Sequence, residues 1–372
     1  GFLSGCDYLD IVPDNLPTLE MAFNNKSSAE RFLFTCYSFV PEHGKIGTDP
    51  GMDVGDEVWY YSDNSADYSN KTTFWIAKGM QNSNEPLVDY WNGAQWGKAM
   101  FVGIRDCNVF IENIDKVPDL SAYDKETWKA EAKVLKAFYH FWMMRMYGPI
   151  PIIKENIPVS AGEDEVRVVR DKIDDIVTYI VSLIDESVEY LPLNIQNEAA
   201  EMGRITRPAA KAIKAKILAF AASPFFNGNL DYANFKNAEG EPFFNQVYDN
   251  EKWTKAADAC LEAIQCAEEA GHGLYEFVNM SSTQLSDETI LSLSNRCKVT
   301  ERWNKELVWG CGQSGIRDLQ VLCQPWLESN YSSDDRYHNA RNGTFAPTLA
   351  VAETFYTKNG VPMDEDKNYD YS

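Results

Sequence analysis

The sequence is poor in the residues from which most chemistry is built. Its four histidines, His43, His140, His272 and His338, form no H-E-x-x-H or comparable metal-ligating pattern. There is no G-x-S-x-G elbow and no glycine-rich phosphate loop, so the signatures of common hydrolases and nucleotide-binding proteins are missing. The eight cysteines include no C-x-x-C pair, and the closest two, Cys260 and Cys266, fall on different faces of one helix. They read mostly as buried free thiols that pack as small hydrophobes. No run approaches the ~18 consecutive apolar residues of a membrane-spanning helix. Basic residues are outnumbered, 34 Lys and Arg against 56 Asp and Glu, for a net charge of −22. That balance argues against nucleic-acid binding, which needs a basic face to displace counterions. It suits a protein that stays dispersed at an exposed surface.

What is abundant is helical periodicity and aromatic side chains. After Ser27 or Ser28 as a cap, Ala29, Phe32, Leu33, Cys36, Tyr37 and Val40 make one apolar stripe, ended by Pro41. A second helix, starting near Trp91 or Trp96, carries Met100, Ile104, Cys107, Ile111 and Ile114. The third, from about Lys125 to Tyr147, joins a stripe of Val134, Ala137, Phe141 and Met144 to one of Leu135, Phe138 and Trp142. An apolar face that broad implies burial on two sides, and Gly148-Pro149 stops the helix. His140 lies within it and reads as a satisfied core residue. The fourth runs from Asp171 to Leu191. The fifth starts at Thr206 with Pro208 in its first turn, and its many alanines allow close helix approach. The sixth runs from Trp253 to Ala270.

Residues 230–250 read as loop. Beyond Gly271 the periodicity weakens, with loops, short helices and a few strands expected, one of them at Glu306–Trp309. The fold class is therefore mainly α: stacked helix pairs packed against an irregular lobe with loops and a few short strands. The expected boundaries are a leader at 1–20, a helical domain with inserted loops at 21–270, and an irregular second lobe at 271–372. Trp253-x-x-Ala256-Ala257 is loosely similar to a tetratricopeptide opening, but no fixed period of ~34 residues emerges. The start, Leu3-Ser4-Gly5-Cys6, has the small residues and cysteine of a bacterial lipoprotein signal. Cys6 is the expected lipidation site, and several acyl chains on it would give a stable anchor.

Four segments in this order resemble the SusD/RagB family: Cys6–Asp10; Glu131–Tyr139 continuing to Arg145–Pro151; Gly203–Ala210 with its alanine-rich helix; and Tyr356–Asp364 around Asn359-Gly360. The resemblance implies a tetratricopeptide-like helical domain in a cell-surface, lipid-anchored protein of the outer membrane. It implies binding of a glycan, without catalysis, and delivery to a SusC-type TonB-dependent transporter. Members of the family continue past the Asn359-Gly360 motif, so an incomplete second lobe is expected. No cofactor or metal is implied.

A sugar site wants aromatic platforms ringed by Asn, Asp, Gln or Arg. Two loop regions qualify. In the first, Trp59, Tyr60, Tyr61, Tyr68, Phe74 and Trp75 are interspersed with Asp56, Asp63, Asn64, Asp67 and Asn70. The second groups Trp326, Asn330 and Tyr331 with Gln324 and Arg336, while Trp303 and Trp309 are weaker candidates. The expected ligand contacts are Trp59, Tyr60, Tyr61, Trp75, Asn64, Asp67, Trp326, Asn330 and Tyr331. Two alternatives stay open. A helical glycoside hydrolase needs two carboxylates about the scissile bond, one of them with a raised pKa, and a tetratricopeptide-like scaffold would bind a peptide in its groove. The acidic run Asp364-Glu365-Asp366 reads as a solvated charge run rather than a cation site.

Overall fold

The computed structural model describes residues 19–42, 44–45, 49–60, 72–158, 160–311, 323 and 345–370. The helices in chain order are α1 (Leu19–Ala22), α2 (Lys26–Tyr37), α3 (Pro50–Asp53), α4 (Thr72–Ala77), α5 (Met100–Asn113), α6 (Ala122–Tyr147) and α7 (Glu163–Val166). They continue with α8 (Ile173–Asp185), α9 (Glu198–Glu201), α10 (Arg207–Ala222), α11 (Glu251–Glu269), α12 (Asp287–Thr300) and α13 (Leu349–Ala352). Two short strands, β1 (Val58–Tyr60) and β2 (Phe345–Pro347), pair antiparallel with Trp59 opposite Ala346. The fold is mainly α, as the periodicity implies.

The chain divides into two compact units. One comprises Gly1–Phe39 and Phe101–Trp309; the other comprises Val40–Met100 and Gly310–Ser372. This division does not fall at residue 270. Residues 271–309 group with the long helices, and residues 40–100 group with the chain's end, because β1 finds its partner in β2 across nearly the whole sequence.

The first unit is a succession of packed helices, α6 on α8, α8 on α10, and α10 on α11. Its centre is α6, capped by the Ser121 hydroxyl accepting from Asp124 N at 3.0 Å. Leu135, Ala137, Tyr139, Phe141, Trp142, Met143 and Met144 are all buried, so α6 is enclosed on more than one side. It ends at Gly148, whose φ of +71° is open to glycine at little cost. The alanine content of α10 has the effect expected of it. Ala215 packs against Ala259 and Ala263 of α11, with Leu218 closing the contact.

The motif Gly203–Ala210 is a structural staple. Arg204 grips Glu131 of α6 in a two-pronged ion pair, Nη2 to Oε1 at 2.6 Å and Nε to Oε2 at 3.1 Å. Tyr37 of α2 donates its hydroxyl to the same carboxylate at 2.6 Å and accepts from Ile205 N at 2.8 Å. Burial pushes the Glu131 carboxyl up, while the guanidinium and the Tyr37 hydroxyl pull it back. Thr206 then caps α10. Three regions packed far apart in sequence are locked by one polar cluster, and such clusters hold only when every member is satisfied.

Several boundaries differ from the pattern reading. Asn25, not Ser27 or Ser28, caps α2, its side chain accepting from Ser28 N. The fourth helix stops at Asp185, a separate 3-10 turn follows at Val188–Tyr190, and the buried Ser187 between them donates its hydroxyl to Leu183 O. Glu306–Trp309 is no strand; Trp309 donates its indole N–H to Gly203 O at 3.0 Å and sits edge-on to Phe138. A fourteen-residue helix, α12, stands in the stretch read as irregular; Ser286 caps it and no residue of it is buried. It lacks a clean apolar stripe, which is why periodicity misses it.

Candidate functional site

In the second unit, aromatic side chains are held half-exposed by short elements. Trp59 on β1 is 41% exposed, and its ring meets buried Phe74 of α4 edge-on at 5.7 Å. The next residue, Trp75, is 42% exposed with the Lys78 ammonium 5.6 Å from its ring centroid. Phe74 therefore anchors both neighbours: it fixes Trp59 by contact and Trp75 by helix geometry. Thr73 of the same helix donates to the buried Asp53 carboxylate at 2.7 Å, tying α4 to α3. Of the residues expected from sequence, Trp59, Tyr60 and Trp75 stand on these elements, with Tyr60 opposite Phe345 in the strand register. Tyr61, Asn64, Asp67, Trp326, Asn330, Tyr331 and the expected lipidation site Cys6 lie outside the described residues.

A third tryptophan, Trp96, reads from the pattern only as a helix start. The helix instead begins at Met100, and residues 88–97 form a tight loop. Val88 N donates to Gln95 O at 3.1 Å and Asp89 N to Ala94 O at 3.0 Å. The buried Asp89 carboxylate accepts from Trp91 N at 2.8 Å and Asn92 N at 3.1 Å. Gly97 lies so close to the Asp89 backbone that an added Cβ would come within 2.0 Å of its carbonyl oxygen. Gln95 and Trp96 take φ values of +50° and +71°, the left-handed region that costs a non-glycine residue about 1–2 kcal/mol.

The loop spends that strain to turn Trp96 outward, 58% exposed. Beside it is a notch of about 40 Å³ lined by Pro41, Glu42, Lys45, Tyr90, Trp96 and Lys98. Glu42 pairs with Lys45 at 2.7 Å and Lys98 at 3.8 Å, and Lys98 also donates to Val40 O at 2.9 Å. The Lys45 hydrogen bond is the main cause holding the Glu42 carboxyl below its ordinary range. Partial burial pulls the Lys98 ammonium below its own. An aromatic face with an ionised carboxylate and two ammonium groups at its edge matches a sugar ring, whose C–H face stacks and whose hydroxyls both donate and accept.

The first unit has a larger concavity of about 220 Å³, lined by residues including Tyr123, Trp128, Asn194, Gln196, Glu201 and Arg204. Its floor is the Glu131–Arg204 staple, already engaged in holding the helices. Asn359-Gly360 lies in a turn in which Asp366 accepts from Thr357 Oγ1 and from Asn359 Nδ2. Asp366 is thus buried rather than part of a solvated charge run, and those hydrogen bonds hold its carboxyl low. Among the described residues no group of three His, Cys, Asp or Glu side chains could hold a metal ion. No helix among them is long and apolar enough to cross a membrane.

Comparison with known proteins adds a lineage to this geometry. A SusD-like protein of Bacteroides ovatus is 31% identical over 99 residues, 27% of this chain and 16% of that one. The solved structure of BT4246 matches with a TM-score of 0.75 at 27% identity, covering 93% of this chain and 59% of its own. Surface glycan-binding protein A from Bacteroides uniformis shares the fold, with a TM-score of 0.56 at 16% identity over 89% of this chain and 61% of its own. The chain thus spans less than two thirds of the length of these relatives. The SusD-like family model, described as starch-binding associating with outer membrane, matches residues 7–218. With that match running over more than half of its 372 residues, the chain belongs to the SusD-like family.

Proposed function

We propose that this chain is a non-catalytic glycan-binding protein whose ligand stacks on exposed tryptophans of the second unit, Trp96 foremost and Trp59 and Trp75 with it. The observation that carries this reading is the Trp96 loop. A chain that adopts two consecutive left-handed non-glycine residues to expose a large apolar ring gains nothing in burial from doing so. The gain lies in a platform fixed before the ligand arrives, which lowers the ordering cost of binding. Family membership supports the ligand class, as does the likeness to a solved surface glycan-binding protein. Tyr60, Tyr61, Asn64, Asp67, Trp326, Asn330 and Tyr331 are proposed as further contacts on the sequence argument alone.

The wider setting belongs to the same proposal. The protein is anchored through a lipid on Cys6 at the outer-membrane surface, and it hands its glycan to a SusC-type TonB-dependent transporter. Binding without turnover is favoured because a glycosidase needs a carboxyl held protonated near neutrality. Glu42, the carboxylate beside Trp96, is shifted the opposite way. The test is affinity electrophoresis against a panel of soluble polysaccharides, with reducing-sugar release measured in parallel. Retardation by one polymer without product supports the proposal. Sustained release of reducing ends would replace it with a hydrolase.

A further inference from the structure

Helices α2 and α5 run antiparallel in the first unit, and their facing residues can be read off as a ladder. Phe32 stacks on Phe110, ring centroids 6.3 Å apart. At the other end Phe39 lies over Gly103, where a Cβ would meet the ring at 2.9 Å. Phe32, Cys36 and Phe39 step along one face of the chain by four and three residues; Phe110, Cys107 and Gly103 step back along the other by three and four. The ladder therefore sets Cys36 opposite Cys107. Both are fully buried free thiols, and the Cys36 sulfur is near enough to Cys107 to help push its thiol up. Tyr139 of α6 donates its hydroxyl to Cys36 O.

Packing alone does not require two sulfurs here, since any pair of small apolar side chains would fill the same space. The geometry points to Cys36 and Cys107 as a disulfide pair that closes as the chain folds and clamps α2 to α5. The chemistry is thiol–disulfide exchange with a disulfide-bearing oxidant. One thiolate attacks the oxidant and forms a mixed disulfide, expelling one thiol. The second then attacks the protein sulfur of that mixed disulfide and expels the other. Two protein thiols lose two protons and two electrons, and the oxidant's disulfide is reduced to two thiols. Burial and the neighbouring sulfur push the Cys107 thiol well up, so the folded state holds no ready thiolate and no path for an oxidant. Closure therefore belongs to folding and not to the finished protein. The clamp would stabilise by restricting the unfolded chain over the long loop it closes.

The test is refolding of the full chain from denaturant in a buffer of reduced and oxidised glutathione, followed by alkylation and non-reducing trypsin digestion. The two cysteines fall in separate peptides, 32–45 and 106–116, each with a single cysteine. The expected result is one linked species of these two peptides, lighter than their sum by two hydrogens and split by reductant. Reduction should also lower the midpoint of thermal unfolding. Recovery of both peptides separately and alkylated would overturn the inference, and so would linkage of either cysteine to any of the other six, Cys6, Cys260, Cys266, Cys297, Cys311 or Cys323.

Discussion

His140 shows how much one residue in the core can set. Its Nδ1–H donates to Lys136 O at 2.8 Å, and its Nε2 accepts from Ile153 N at 3.1 Å. That pairing fixes the neutral tautomer. Burial, opposed only in part by the Lys136 carbonyl, pulls the ring down to about 4. The sign follows. The unfolded ring takes up a proton below its ordinary pKa of 6.5, and the folded ring does not, so the stability is complete above that value. It is lost as pH falls toward about 4, by about 3 kcal/mol across the window. Denaturant unfolding of the wild type and His140→Gln at neutral pH and near pH 5 checks this. The variant should lose less on acidification. Equal losses would mean the ring is not held neutral. Trp96 is the other decisive residue. Trp96→Ala should weaken glycan binding at least tenfold and leave the unfolding midpoint unchanged, because the ring is outside the core.

At the level of elements, the staple between α2, α6 and the start of α10 makes a sharp demand. Arg204→Met strands a buried carboxylate, and breaking a buried pair costs about 3–5 kcal/mol. The double variant Glu131→Gln with Arg204→Met should recover part of that loss, since no charge is left unpaired. Urea unfolding of the two proteins separates the outcomes; equal destabilisation would mean the pair is not coupled. The α10–α11 contact is sensitive to volume in the opposite sense. Ala215→Leu overfills a seam built from alanines and should cost about 1–3 kcal/mol by the same measurement. Gly97→Ala, by contrast, would disrupt the loop that presents Trp96, so it should weaken binding with little effect on the helices.

Over the whole molecule, the sequence shows its helices more readily than its site. Local periodicity was enough for α2, α6, α8, α10 and α11, because each buries a stripe that repeats every few residues. It placed the end of α6 at Gly148 and the cap of α10 at Thr206. It failed for α12, which buries no residue, and for the β1–β2 pair, whose partners are almost 300 residues apart. The site was half legible. Trp59 and Trp75 stood out as aromatics among acidic and amide residues. Trp96 did not, since a tryptophan before an apolar stripe reads as helix. Its only local signal was the surrounding Asp89, Gly93 and Gly97, turn-forming residues that a helix start would not need. The four segments of family likeness carried what periodicity could not, and the staple explains why two of them, around Glu131 and Gly203–Ala210, belong together.

On the proposed reading, exposed tryptophans of the second unit bind a glycan without cleaving it. Affinity electrophoresis of the wild type, Trp96→Ala, and Trp59→Ala with Trp75→Ala tests it most directly. One polysaccharide should retard the wild type without release of reducing ends, Trp96→Ala should migrate freely, and the double variant should be retarded less than the wild type. Undiminished retardation of all the variants would contradict that reading and place the ligand elsewhere on the molecule.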